Sequence, residues 1–224
     1  MPSLRQLLAR HPALLLADTC STRVEVALWR GGELGPVAVA AIDAEATSGL
    51  PEAVERVLAA AAINVRSLDA VAFCSGPGSV LGIRLAAATL RTWRAIKPGL
   101  ALYGYASLPL LATAHPGVTI IADARRETWH AVRARSAATL ERVPSADLGA
   151  LAAEAPLGTP ATFRSWSKPP ADVAIRPLDY SPAALFAAAP DAALFEPAPE
   201  PDAFMHETPA YATWTPRVHQ APTA

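Results

Sequence analysis

The chain has 224 residues, 52% of them hydrophobic and 17% charged, enough apolar content for one large or two small buried cores, which excludes disorder throughout. Its apolar runs, such as Ala13 to Ala17 and Leu58 to Ile63, are too short to cross a bilayer, and a formal net charge of −1 without basic runs excludes a polybasic nucleic-acid arm. Two cysteines, Cys20 and Cys74, make no disulfide framework, and no secretory h-region precedes them, so the expectation is a soluble cytoplasmic protein without membrane contact.

Residues 1–12 place Leu4, Leu7 and Leu8 at helical spacing and end at Pro12, which predicts a short surface helix or a disordered lead-in. Leu14 to Ala17 then reads as a buried strand whose polar end, Asp18-Thr19, opens onto a cleft. In the following segment Val24, Val26 and Leu28 alternate with Arg23, Glu25 and Ala27, predicting a strand with one buried face, and Gly31-Gly32 supplies a hairpin turn. A helix is expected from Pro51, with Val54, Val57, Leu58 and Ala61 on one face and Pro51 in the first turn.

Leu68 to Phe73 reads as another buried strand, and it runs straight into Ser75-Gly76-Pro77-Gly78-Ser79. A helix to about Ile96, a strand in LALYGY and a helix from about Ser107 come next. Val118 to Asp123 and the alternating ETWHAVRA segment start a second strand-hairpin unit at about residue 117. Most of the 22 prolines lie from residue 144 onward, and APDAALFEPAPEPDAF reads as loop or linker. The order predicts an α/β fold with a smaller, less regular second domain.

The glycine-rich stretch sits where a strand ends and a helix starts. Two roles are open to it: a tight structural turn, or an anion site made of backbone N–H groups and the helix dipole. It lacks the Lys-Ser/Thr pair of a Walker loop and the spacing of a dinucleotide fingerprint. In the helix that follows, Arg84, Arg91 and Arg94 share one face, which is either solvated or a contact surface for an acidic partner. Ile83, Ala87 and Leu90 lie on another face suited to close packing.

Four segments, LLLADTCSTRVEVALW, LDAVAFCSGPGSVLGIRLA, ASLPLLA and IIADARRETWHAV, occur in an order and spacing that resemble the bacterial tRNA threonylcarbamoyladenosine biosynthesis family TsaB, also called YeaZ. The residues that carry the resemblance are Asp18 and Thr19, then Gly76, Pro77, Gly78, Ser79, Gly82 and Arg84, then Asp123, Ala124 and Arg125. It spans about residues 13 to 135, with a weak echo in TPAYATW near the C-terminus. The family's Phe-Thr within the central motif is Val80-Leu81 here. Trp93 and two arginines stand in the helix where tight packing favours small residues, and Thr47-Ser48-Gly49 replaces a common His-Ser.

The resemblance implies an actin-like, ribonuclease-H-like two-lobed fold of mixed sheets flanked by helices. Residues 1–12 are then a lead-in, 13–106 the first lobe, completed by the C-terminal segment 207–224, and 107–206 the proline-rich second lobe. It also implies a non-catalytic partner subunit in forming N6-threonylcarbamoyladenosine beside the anticodon of tRNA, with no cofactor and no metal. The implied partners are a TsaD-type catalytic subunit and a TsaE-type ATPase, with a homodimer as a further form and tRNA met only through the complex. Asp18, Thr19, Gly76, Pro77, Gly78, Ser79, Gly82, Asp123 and Arg125 would shape the cleft, and Arg84, Ala87, Leu90, Arg91 and Arg94 would meet the partner.

The rival readings are a nucleotide-binding member of the actin-like superfamily, with Asp18 and Asp123 holding Mg²⁺ through water, and a specialised paralogue with another partner. A metal-dependent active site finds no HExxH and no histidine pair at i, i+4 among His11, His115, His130, His206 and His219. Cys20 and Cys74, each just past an inner strand, are expected near one another in the cleft as small buried thiols.

Overall fold

In the computed structural model, which describes residues 1–135 and 139–203, the first apolar run forms the middle of a sheet. Strand β1 (Ala13–Asp18) is buried at every position: β2 (Val24–Arg30) pairs with it antiparallel on one edge and β4 (Ala70–Gly76) parallel on the other, and helices pack against it. β3 (Ala38–Ile42) and β5 (Ala101–Ala106) extend this sheet, and the two-residue β11 (Glu196–Pro197) pairs with β5 at the edge.

A second sheet repeats the pattern. β6 (Thr119–Asp123), β7 (Thr128–Val132) and β8 (Leu140–Pro144) form an antiparallel meander, β9 (Leu157–Pro160) runs parallel to β6, and β10 (Ile175–Leu178) runs parallel to β9. The orders β3-β2-β1-β4-β5 and β8-β7-β6-β9-β10 therefore correspond strand for strand. This is the expected α/β, actin-like two-lobed fold, with two mixed sheets flanked by helices.

The helices show where the two halves differ. In the first, α2 (Ala46–Ala60) joins β3 to β4, α3 (Val80–Ile96) joins β4 to β5, and α4 (Ser107–Ala114) follows β5. In the second, α5 (Leu148–Glu154) joins β8 to β9 and α6 (Pro182–Ala188) follows β10. Nothing helical corresponds to α3, for residues 161–174 form an irregular segment between β9 and β10. That segment reaches the cleft.

The lead-in is a helix, α1 (Leu4–Arg10), started by a capping box in which the Ser3 hydroxyl accepts from the Gln6 N–H and the Gln6 side chain accepts from the Ser3 N–H. Leu4, Leu7 and Leu8 are buried, so it belongs to the core and is no surface appendage. The Phe195 N–H donates to the Pro2 carbonyl and the Arg5 N–H to the Pro190 carbonyl, which ties the lead-in to the proline-rich end.

Three further sequence expectations are corrected. β2 buries both faces from Val24 to Trp29, because α2 packs on it from one element and α6 from another, so alternation of residue type did not report alternation of burial. α2 starts at Ala46, five residues before Pro51; the Glu45 carbonyl receives the Ser48 and Gly49 N–H groups, and Pro51 costs only the bond to the Thr47 carbonyl. The supposed linker after Pro190 carries Phe195, which is fully buried and packs on Phe186 and Tyr105 at ring-centroid distances of 4.5 and 6.1 Å. The late TPAYATW segment, the C-terminal stretch 207–224, His206 and His219 lie outside the described residues.

If Phe195 is a core residue, Phe195→Ala should lower unfolding stability by about 3–5 kcal/mol in a urea titration. A loss under about 1 kcal/mol, the range of surface changes, would return this segment to the linker class.

Candidate functional site

β1 delivers Asp18 to the centre of the molecule, where it is 1% exposed. Its Oδ2 accepts hydrogen bonds from the Tyr105 hydroxyl at 2.7 Å and the Tyr180 hydroxyl at 2.8 Å, and its Oδ1 accepts from the Cys20 N–H at 3.0 Å. Tyr105 comes from β5 and Tyr180 from the segment after β10, so three distant stretches of chain converge on one carboxylate. Burial raises the ionisation of both tyrosines well above the ordinary phenol range, and the Asp18 charge raises it further. Both phenols stay protonated as donors.

Cys20 and Cys74 meet here, with the potential ligand atoms of Asp18, Cys20 and Cys74 within 4.8 Å of one another. Burial pushes both thiols up from their usual range, and the Asp18 oxygens are already occupied by donors. The two thiols are thus the small buried pair that the sequence suggested, beside the two tyrosines that close over Asp18.

Next to it, the glycine-rich turn is shaped by close backbone approach. A Cβ on Gly78 would lie 2.4 Å from the Cys20 carbonyl oxygen, and one on Gly82 would lie 2.2 Å from the Thr19 carbonyl oxygen. No other residue type fits at either place. The Ser79 N–H donates to the Cys20 carbonyl, the Ser79 hydroxyl caps α3 by accepting from the Gly82 N–H, and the Pro77 carbonyl accepts from the Ser107 hydroxyl. Gly76 and Pro77 thereby end β4 and aim α3 across the Thr19-Cys20 turn.

Together these turns form one wall of a cleft of ≈ 640 Å³ between the two sheets. The opposite wall is the β6–β7 turn and the irregular segment 161–174. Asp123, at the end of β6, accepts from the N–H groups of Arg125, Trp166 and Ser167 and from the hydroxyls of Ser165 and Ser167. Partial burial alone would raise this carboxyl, but the backbone and hydroxyl donors outweigh it and hold Asp123 below its ordinary value. Arg125, Arg126 and Glu127 all take left-handed backbone conformations, with φ of 65°, 51° and 54°. The Arg125 guanidinium lies 4.2 Å over the Trp166 ring. Across the mouth, Arg164 pairs with Glu45.

Of the expected cleft residues, Thr19, Gly78, Ser79, Gly82, Asp123 and Arg125 line the cleft, whereas Asp18, Gly76 and Pro77 do not. The expected partner face divides. Ala87 and Leu90 are at most 1% exposed and pack into the chain's own core, because the apolar stripe of α3 faces the sheet. Arg91 and Arg94 donate to the Pro201 and Pro199 carbonyls of the same chain. Arg84 stays exposed beside the cleft. Tyr105, Tyr180 and Trp166 could not be read from the sequence as members of the site, since nothing local marks an aromatic residue as the partner of one more than 40 positions away.

The family model for TsaD, described as tRNA N6-adenosine threonylcarbamoyltransferase, matches residues 43–165. The chain belongs to the TsaD family. A search of curated proteins finds no match. Among solved structures the chain is similar to YeaZ from Pseudomonas aeruginosa, with 20% identity over 79% of this chain and 90% of that one and a TM-score of 0.56. A second structure from the same organism, described as an uncharacterized protein with similarity to peptidase YEAZ, matches at 22% identity over 79% and 89% of the two chains, also with a TM-score of 0.56. The motif resemblance to TsaB (YeaZ), the family model and the shared fold agree, and they place this divergent TsaD-family chain in tRNA threonylcarbamoylation.

Two outcomes test the wall geometry. Gly82→Ala should destabilise the protein by about 1–3 kcal/mol or more, since its methyl group overlaps backbone that cannot swing aside; a neutral effect in thermal unfolding would refute the tight approach. Asp123, with its folded ionisation below the unfolded value of 3.8, contributes stability that is present above that pH and fades as pH falls through the folded value. Asp123→Asn should therefore cost more stability at pH 7 than at pH 3, and equal losses would show that the carboxylate charge is not what the turn uses.

Proposed function

We propose that this TsaD-family chain is a non-catalytic accessory subunit of the assembly that forms N6-threonylcarbamoyladenosine next to the anticodon of tRNA. One observation carries the reading: Asp18, the strand-end carboxylate that faces the lobe junction, is sealed by Tyr105, Tyr180 and the Cys20 N–H, so its oxygens serve the fold. Asp123 is likewise consumed by five donors of its own chain. Both oxygens of each carboxylate thus accept hydrogen bonds from donors of the same chain.

In this role the chain offers a surface and leaves the chemistry to a partner. The partner is a TsaD-type catalytic subunit, with a TsaE-type ATPase joining the pair; tRNA is met through that assembly, and a homodimer competes when the partner is absent. The contact surface is the outer face of α3, with Leu81 (74% exposed) and Arg84, together with Ala88, on the exposed side of the helix. Ala87, Leu90, Arg91 and Arg94 support this surface from behind or beside it.

The test is co-expression with the TsaD-type subunit of the same organism, followed by size-exclusion chromatography with light scattering. A stable heteromeric peak is expected, and Arg84→Glu combined with Ala88→Glu should weaken the complex at least tenfold while leaving the thermal midpoint of the isolated chain unchanged. Separate elution of two folded proteins would overturn the accessory role.

A further inference from the structure

The buried thiol pair serves neither the cleft nor the proposed contact surface. Cys20 sits on the turn after β1 and Cys74 on β4, and their sulfurs and an Asp18 carboxylate oxygen all lie within 4.8 Å of one another. In a tetrahedral metal site, with bonds of about 2.3 Å to sulfur and about 2.1 Å to oxygen, the ligand atoms stand roughly 3.6–3.8 Å apart. Closing these three atoms onto one ion therefore takes a contraction of about 1 Å at most for each pair.

The surroundings suit a ligand set. A carboxylate offers about four lone-pair sites; Tyr105, Tyr180 and the Cys20 N–H use three of them, which leaves one on Oδ1. The two tyrosines hold the carboxylate in place, as hydrogen-bonding groups behind a metal ligand commonly do. The Cys20 thiol donates to the Tyr180 oxygen at 3.7 Å, which puts a fourth oxygen beside the first sulfur, and the Gly76 N–H favours the charged form of the second. Charge then selects the ion. Every donor to Asp18 is neutral, and exchanging two thiol protons for one divalent cation leaves the buried charge as it is. A monovalent ion would add another buried negative charge, at a cost of several kcal/mol. Two sulfur ligands disfavour Mg²⁺ and Ca²⁺, which take oxygen, and suit a thiophilic ion such as Zn²⁺.

The geometry points to a structural site for a thiophilic divalent cation of the zinc class, formed by Asp18, Cys20 and Cys74. Two S–H bonds break as two metal–sulfur bonds form, both protons pass to solvent, and no electron is transferred. The ion enters through the Cys20 turn, which lines the cleft. Once bound, it clamps the end of β1 to β4 and, through the Tyr180–Asp18 hydrogen bond, to the chain leaving β10. It also fixes the turn on which Gly78 and Gly82 seat α3. The site departs from the metal-free expectation of the sequence. It is independent of the accessory role proposed above, because its ligands are buried while the proposed contact residues Leu81 and Arg84 are exposed.

The experiment offers the ion while the chain folds. The full chain is produced in zinc-supplemented medium and purified without chelator, its metal content is measured, and the zinc is then exchanged for cadmium and followed by ultraviolet absorption. One zinc per chain is expected, with a sulfur-to-cadmium charge-transfer band after exchange. Stripping the ion with a chelator should lower the thermal midpoint, since a ligand that binds only the native state stabilises it. Cys20→Ala and Cys74→Ala, each folded by circular dichroism, should bind zinc at least tenfold more weakly and lose most of the band. Metal-free wild-type protein from the zinc-rich medium would overturn the site whether or not the variants fold. Zinc content and cadmium band unchanged in both variants would overturn it as well.

Discussion

The fold is organised around one buried negative charge. Taking a carboxylate such as Asp18 out of water costs several kcal/mol, and each hydrogen bond to a charged group returns about 1.5–3 kcal/mol. Three donors, Tyr105, Tyr180 and the Cys20 N–H, are therefore close to the minimum that makes the site tolerable. Each donor also fixes a different stretch of chain. Tyr105 sets the end of β5, Tyr180 sets the chain leaving β10, and Cys20 sets the turn on which α3 is seated through Gly78 and Gly82. The lobe junction and the cleft wall share a single polar anchor.

A second buried carboxylate makes a similar tie with less support. Glu25 on β2 is 4% exposed and accepts from the Ala183 N–H at 2.7 Å and the Ser181 hydroxyl at 3.1 Å. Burial raises its ionisation above the ordinary value, although both donors pull it back. Its contribution has the opposite sign to that of Asp123: a raised folded value favours the native state below the unfolded pKa and withdraws that support as pH rises through the folded one. The two ties across the molecule thus respond oppositely to acid, one at the junction of β2 with α6 and one at the cleft mouth.

The near-repeat of the two halves explains why the cleft is lopsided. The first half contributes the N-terminal ends of α2 and α3. The second half replaces the counterpart of α3 with residues 161–174, a segment held by Asp123 on one side and by the exposed Arg164–Glu45 pair on the other. An exposed ion pair of that kind contributes about 1 kcal/mol at most. The first wall is consequently built on regular helix ends, while the second depends largely on the Asp123 turn, with its three left-handed residues, for its shape.

The sequence by itself determined the strand and helix order through β7, because apolar runs and 3.6-residue periodicity are local and need no knowledge of neighbours. It also located the glycine-rich turn and the two strand-end aspartates, since glycine and strand-end carboxylates mark such places by residue type alone. It lost the second half after Pro144. There the elements are short, four residues in β9 and β10 and seven in α5 and α6, and prolines hide their period. Only the tertiary structure decided that both faces of β2 are covered, that Phe195 belongs to the core, that Arg91 and Arg94 are held by their own chain, and that tyrosines from positions 105 and 180 close over Asp18. Each of these is a contact between residues far apart in the chain, and the cost of a buried charge or an unpaired hydroxyl exists only once the fold has brought its surroundings together.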